Sequence, residues 1–167
     1  MLILPKDELN DTQFGFRESR GTAMPCVLLN DIAAYFNESG SPLYVCSLDA
    51  EKCFDSIWHD ALLFKLWGKL PLQHWLLIYR WYTNLKALVR LNGKYSKSFN
   101  VTRGTRQGSI LSPHLFGFFI NDLLLDLNLS KYGVRIGSDK FESFAYADDI
   151  SLFSATIPHL QNLIDMC

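Results

Sequence analysis

The chain has 167 residues, 49% of them apolar and 20% charged, with a formal net charge of −1. That leaves room for one ordinary domain, or for one part of a larger enzyme, and excludes a disordered, collagen-like or fibrous protein. Uncharged stretches such as 107–121 and 150–164 are too short and too polar to span a membrane, and the first residues lack the basic and apolar regions of a secretory signal. An intracellular protein is therefore expected, and its four cysteines (26, 46, 53 and 167), which have no zinc or disulfide-framework spacing, read as reduced core thiols.

No repeat, low-complexity tract or linker interrupts the sequence, so residues 1–167 are expected to form one continuous unit. Apolar positions at helical spacing predict a helix over 23–36, ended by the breaker cluster NESGSP at 37–42. The apolar run LYVCSL at 43–48 suits a central strand that ends at Asp49. A tight turn and an amphipathic helix follow, stopping before Pro71, and a second helix is predicted from about Leu72 to Leu85. Residues 86–101 read as a hairpin with Asn92-Gly93 as its two-residue turn. Ser112-Pro113 supplies an N-cap and a first-turn proline for an apolar helix over 112–127. The β-rich runs FESFAYA and ISLFS, separated by Asp148-Asp149, predict a hairpin with two carboxylates at its tip. Antiparallel strands mixed with helices make the fold class α+β.

The charges are segregated along the chain. Residues 61–121 carry nine basic side chains and no acid, interleaved with Trp67, Trp75, Tyr79, Trp81, Tyr82, Tyr95 and Phe99. Such a stretch can follow a phosphate backbone and stack on bases. It can equally be a pair of helices with solvated lysines and a buried aromatic face.

Asp148-Asp149 alone is most simply a solvated turn. Asp49, however, ends an apolar strand, where burial of a charge costs several kcal/mol unless compensated. If that strand pairs with the 141–153 hairpin, three carboxylates gather. Hard oxygen donors of this kind select Mg²⁺ or Mn²⁺, and two ions about 4 Å apart suit nucleotidyl transfer. A general acid/base pair of the glycosidase type is the competing enzymatic reading, and the all-basic segment weighs against it.

These residues carry a family resemblance. LDAEKCFD at 48–55 resembles the first catalytic motif of reverse transcriptases, GTRQGSILSPHLF at 104–116 their substrate-binding motif, and YADD at 146–149 their third motif. QFGFR at 13–17, with RGT at 20–22, is similar to the fingers segment of non-LTR (LINE-like) retrotransposon enzymes. The motifs stand in the family's order and extend over about 140 of the 167 residues.

The resemblance implies a right-hand polymerase palm, with an antiparallel sheet and packed helices. It places a fingers segment over about 1–42 and the palm over about 43–167. Asp49, Asp148 and Asp149 would be the catalytic acids, holding two Mg²⁺ or Mn²⁺ ions with help from the backbone of Ala50. Phe54 would be the steric gate that excludes a 2′-OH, and Gln107 and Gly108 would lie against the template base and the nucleotide. The implied partners are an RNA template, a DNA primer and dNTPs, with no membrane. Nothing before Gln13 resembles the family's upstream fingers segment. The primer grip and thumb have no counterpart before residue 167, so an incomplete fingers region and no thumb are expected. An RNA-directed RNA polymerase and a non-catalytic nucleic-acid-binding remnant are the alternatives.

Overall fold

Helical spacing over 23–36 becomes a real helix in the computed structural model, which describes residues 9–106 and 108–167. The elements in chain order are α1 (Ala23–Glu38), β1 (Tyr44–Asp49), α2 (Cys53–Ser56), α3 (His59–Leu66), α4 (Leu72–Thr83), β2 (Lys86–Ala87), β3 (Arg90–Leu91), β4 (Lys94–Tyr95), β5 (Phe99–Asn100), α5 (Ser112–Leu129), β6 (Val134–Ile136), β7 (Asp139–Phe141), β8 (Ser143–Tyr146), β9 (Asp149–Ser154) and α6 (Ile157–Met166). They divide into two compact units, one made of Lys52–Phe119 and the other of 9–51 with Ile120–Cys167.

The second unit is built on a three-stranded antiparallel sheet in the order β1-β9-β8. Alternation places Tyr44, Cys46 and Leu48 on one face of β1, and the exposed Val45, Ser47 and Asp49 on the other. On the first face, Ile150, Leu152 and Ala145 pack with Leu124 and Leu127 of α5 and Leu163 of α6. On the opposite face, Phe144 and Phe153 pack with Phe14, Val134, and Ile32 and Phe36 of α1. The aromatic contacts there are close: Phe144 lies 4.9 Å from Phe153 and 5.8 Å, edge to face, from Phe14. Helix α1 ends where Gly40 takes a φ of +66° and the Ser41 amide donates back to the Phe36 carbonyl. Thr156 caps α6 by accepting from the His159 amide.

In the first unit the helix expected after Asp49 is broken into α2 and α3. Ile57 and Trp58 are extended because they serve a second segment: Trp58 bridges to Arg103, and the Gly104 amide donates to the Ile57 carbonyl at 2.8 Å. The hairpin over 86–101 is present as two short pairs, β2–β5 and β3–β4. Its turn residues Asn92 and Gly93 both have positive φ, as a type I′ turn requires. Ser112 lies inside α5 rather than ahead of it, and its hydroxyl donates to the Arg106 carbonyl at 2.6 Å.

None of the four cysteines is joined in a disulfide, and, contrary to the expectation of core thiols, Cys26 and Cys167 are exposed and Cys46 and Cys53 half-buried. Among the described residues no helix is long and apolar enough to cross a membrane.

Candidate active site

Pairing of β1 with β9 fixes the position of the acids. The register sets Asp49 directly opposite Asp149, Leu48 opposite Ile150 and Ser47 opposite Ser151. Residues directly opposite in an antiparallel pair share a face, so Asp49 and Asp149 project to the same side, with Cα atoms about 5 Å apart. Both side chains are exposed, and this face is the one that carries Val45 and Ser47 rather than the α5–α6 core.

The hairpin tip differs by one residue from the expected one. Tyr146 pairs with Asp149, so the two turn residues are Ala147 and Asp148, and Asp149 already belongs to β9. Ala147 has a φ of +57°, unusual for a residue with a Cβ, and Asp148 is half-buried. Ala50 follows Asp49 directly and is exposed. Among the described residues, no three His, Cys, Asp or Glu side chains converge closely enough to hold a metal ion by themselves.

The loop that carries QFGFR at 13–17, expected as part of the fingers, lies against this turn. Gln13 is buried and forms a parallel bridge with Ala145, flanked by Phe14 N–H to Ala145 O and Ala145 N–H to Thr12 O. Its side-chain amide meets the backbone of Ala147 twice, accepting from the N–H at 2.9 Å and donating to the C=O at 3.2 Å. The same side-chain oxygen accepts from the Gly15 N–H at 2.8 Å, but the Ala147 contacts lie 134 residues away, so the motif at 13–17 does not signal them. The neighbouring arginines hold the loop itself: Arg17 donates to the Asn10 carbonyl at 2.8 Å, and Arg20 pairs with the Asp11 carboxylate at 2.7 Å. Burial, with Arg20 close by, pushes the Arg17 guanidinium below its ordinary pKa. A cleft of about 230 Å³ opens between α1 and the sheet, lined by Thr22, Pro25, Cys26, Tyr146 and Asp149 among others.

In the unit of Lys52–Phe119, two of the expected substrate-binding residues share one cleft. Phe54 and Gly108 line a hollow of about 350 Å³ with Thr105, Ser109, Ser112 and Pro113. Phe54 is half-buried, its ring 4.4 Å from that of Phe116, so one face of the ring is already supported. The 103–105 segment is locked beside it by Thr105 N–H to Phe54 O at 2.7 Å and by the His59 ring nitrogen against Gly104 O at 2.7 Å. A side chain at Gly104, whose φ is +88°, would meet the Asp55 backbone at 2.9 Å. Gln107, the expected template contact, lies outside the described residues.

The basic stretch presents its cations outward: Arg80, Lys86, Arg90, Lys94, Lys97, Arg103 and Arg106 are all exposed. Arg106 lies over the Trp81 ring and Arg90 over Tyr95. Contrary to the alternative of a buried aromatic face, Trp67, Tyr79, Trp81, Tyr95 and Phe99 are exposed. Tyr82 is buried, and burial pushes its phenol above the ordinary pKa.

Residues 2–167 match the family described as reverse transcriptase (RNA-dependent DNA polymerase). Among curated proteins, the chain is 29% identical over 155 residues to the retrovirus-related Pol polyprotein of the type-2 retrotransposable element R2DM of Drosophila melanogaster, covering 92% of this chain and 14% of that protein. It is 31% identical over 154 residues to the corresponding polyprotein of the type-1 element R2 of Nasonia vitripennis, covering 92% and 15%. It thus spans about one-seventh of the length of these relatives. Among solved structures, apo telomerase from Candida tropicalis superposes with a TM-score of 0.66 at 13% identity, over 93% of this chain and 32% of that one, a likeness of fold.

Proposed function

This chain belongs to the reverse transcriptase (RNA-dependent DNA polymerase) family, and from that premise we propose that it is the palm core of an enzyme that adds deoxynucleotides to a primer on an RNA template. One observation carries the reading: the β1–β9 register, which sets the exposed Asp49 and Asp149 opposite each other on one face with Asp148 in the adjoining turn. Like charges directly opposite on a sheet repel, and a bound divalent cation removes that cost. Members of the family use divalent metal ions.

The donor set fits Mg²⁺ or Mn²⁺. Magnesium takes one or two carboxylates, keeps waters and accepts substrate phosphate oxygens, so a closed cage of three protein ligands is not needed. In this reading Asp49 and Asp148 hold two ions with the Ala50 carbonyl, and Asp149 is the third acid of the cluster. Two such ions, when bound, would stabilise the attacking and leaving oxygens of the phosphoryl transfer. The chain's own residues do the positioning. Phe54, backed by Phe116, sits as a wall of the cleft where the sugar of the incoming nucleotide would lie, and Gly108 lets the backbone approach it. Gln107 is assigned to the template base. The exposed cations and aromatic rings of 61–121 serve the phosphate backbone and the bases. The assignment of about 1–42 to the fingers and about 43–167 to the palm belongs to the same proposal.

The test is templated extension of a primed RNA by a full-length polymerase carrying this segment, with dNTPs and Mg²⁺. Asp49→Asn and Asp148→Asn are each expected to lower incorporation by about a thousandfold or more. Near-normal incorporation by either variant overturns the site. Binding of primed RNA to the 167-residue chain is expected to weaken steeply with salt, because phosphate contacts release counterions.

A further inference from the structure

We infer that Gln13 is a positioning residue that holds the Ala147–Asp148 turn in the conformation the acid site requires, an inference that rests on the proposed polymerase reading. The turn is intrinsically unfavourable. Ala147 carries a φ of +57°, a region that residues with a Cβ occupy at a cost and that glycine occupies freely. Something outside the turn must therefore fix it, and the Gln13 amide is placed to do so. Its Oε1 accepts from the Ala147 N–H at 2.9 Å and from the Gly15 N–H at 2.8 Å, while its Nε2 donates to the Ala147 C=O at 3.2 Å. Both polar groups of the strained residue are thus taken by one buried side chain.

Gly15 makes the approach possible. A Cβ there would lie 2.2 Å from the Ala147 nitrogen and 2.9 Å from its Cα, backbone atoms that cannot yield without moving the turn. The loop is in turn fastened on its far side by Arg17 on the Asn10 carbonyl and by Asn10 on the Leu124 carbonyl at 3.1 Å. Asp148, next in the chain after Ala147, is set at the hairpin tip by this brace rather than by the two-residue turn alone. Gln13 touches no reacting group in this arrangement; it acts through Ala147.

The 167-residue chain tests this, with amide exchange read at Ala147 and Mn²⁺ as the metal probe. Gln13→Ala is expected to speed exchange of the Ala147 amide by about a hundredfold, while amides of β1 change little. It is also expected to weaken Mn²⁺ binding by about tenfold, the scale of losses when a group supporting a metal ligand is removed. Gln13→Glu retains the acceptor and is expected to keep the Ala147 amide protected to within about threefold, which serves if the alanine variant does not fold. Adding Ala147→Gly to Gln13→Ala should recover at least about half of the lost Mn²⁺ free energy, because glycine takes the positive φ unaided. Leu163→Ala, which opens a cavity in the core on the other face, should lower the melting temperature comparably and leave Mn²⁺ affinity within about twofold.

The inference is overturned if Ala147 exchange is unchanged in Gln13→Ala, if Gln13→Glu, which keeps the acceptor, loses more than about tenfold of the protection, if Leu163→Ala weakens Mn²⁺ equally, or if Ala147→Gly restores nothing. Wild-type chain that fails to bind Mn²⁺ sinks the metal-site reading instead, and the exchange data still decide whether the brace exists.

Discussion

The two compact units carry opposite charge and are built by different means. Residues 52–119 hold ten basic and two acidic side chains, a net of +8, whereas 9–51 with 120–167 hold five basic and thirteen acidic ones, a net of −8. The overall charge of −1 conceals this division. In the acidic unit, apolar packing on both faces of one sheet fixes a register, and the register places the carboxylates. In the basic unit the sheet pairs are two residues long, and many aromatic and aliphatic side chains stay on the surface. Its cleft is shaped by backbone hydrogen bonds between 54–58 and 103–105. One unit uses its apolar residues to fix where the carboxylates stand, and the other displays them beside its cations. That is the division of labour expected when one surface handles ions and another handles a polyanion.

The largest expected effect concerns where stability resides. Leu163→Ala removes a completely buried side chain that packs with Leu124, Leu127 and Leu152, and should cost about 2–5 kcal/mol in denaturant unfolding. Leu91→Ala, on a side chain 71% exposed in the basic unit, should change stability by about 0.5 kcal/mol or less. Equal losses would mean that the exposed apolar residues of the basic unit are structural, and the contrast would fail.

A smaller effect sharpens the role of the cleft. Phe54 fills one wall, backed by Phe116, so Phe54→Val should leave the backbone grip at Thr105 intact while opening space. In a full-length polymerase, use of ribonucleotides relative to deoxynucleotides should rise by about tenfold, equivalent to about 1.4 kcal/mol of lost steric exclusion. An unchanged ratio measured by competitive incorporation would make Phe54 a packing residue and return the RNA-polymerase alternative to the field.

Legibility in the sequence follows the range of the interactions. Helix α1, strand β1, the Asn92-Gly93 turn and the Tyr146–Asp149 hairpin were readable because each is set by local period or turn chemistry. The gathering of Asp49 and Asp149 on one face was readable only as a condition, since pairing of β1 with β9 joins residues a hundred positions apart. The break at Ile57–Trp58 was not readable, because its cause lies at Arg103 and Gly104. Helix α6 and the β6–β7 hairpin, which turns through Gly137 at positive φ, escaped for another reason: they are short and flanked by stronger signals. The motif at 13–17 was readable, but the brace at Gln13 was not, because its partner Ala147 lies 134 residues away and only a buried amide facing a strained turn shows its use.

The last expected effect tests whether the acidic unit also uses a carboxyl structurally. Glu142, between β7 and β8, is almost fully buried, and burial pushes its carboxyl up from 4.5 to about 7 against the opposing pull of Lys140, whose Nζ lies 3.7 Å away. Lys140 is itself committed to the Ser130 carbonyl at 2.8 Å, and Glu142 Oε2 accepts no hydrogen bond. Folding therefore favours the neutral acid. A carboxyl raised on folding contributes stability that is complete below its unfolded pKa and is lost as pH rises through the folded one, here between about pH 4.5 and 7. That shift already includes the pull of the lysine and corresponds to a loss of about 3 kcal/mol across the window. Glu142→Gln keeps the shape and cannot ionise, so its unfolding free energy should fall less between pH 5 and about 8 than that of the wild type. The difference between the two curves isolates this group from the general repulsion of a unit with net charge −8. Parallel curves would show that Glu142 ionises without cost, and would leave the carboxylates of this unit as surface groups alone.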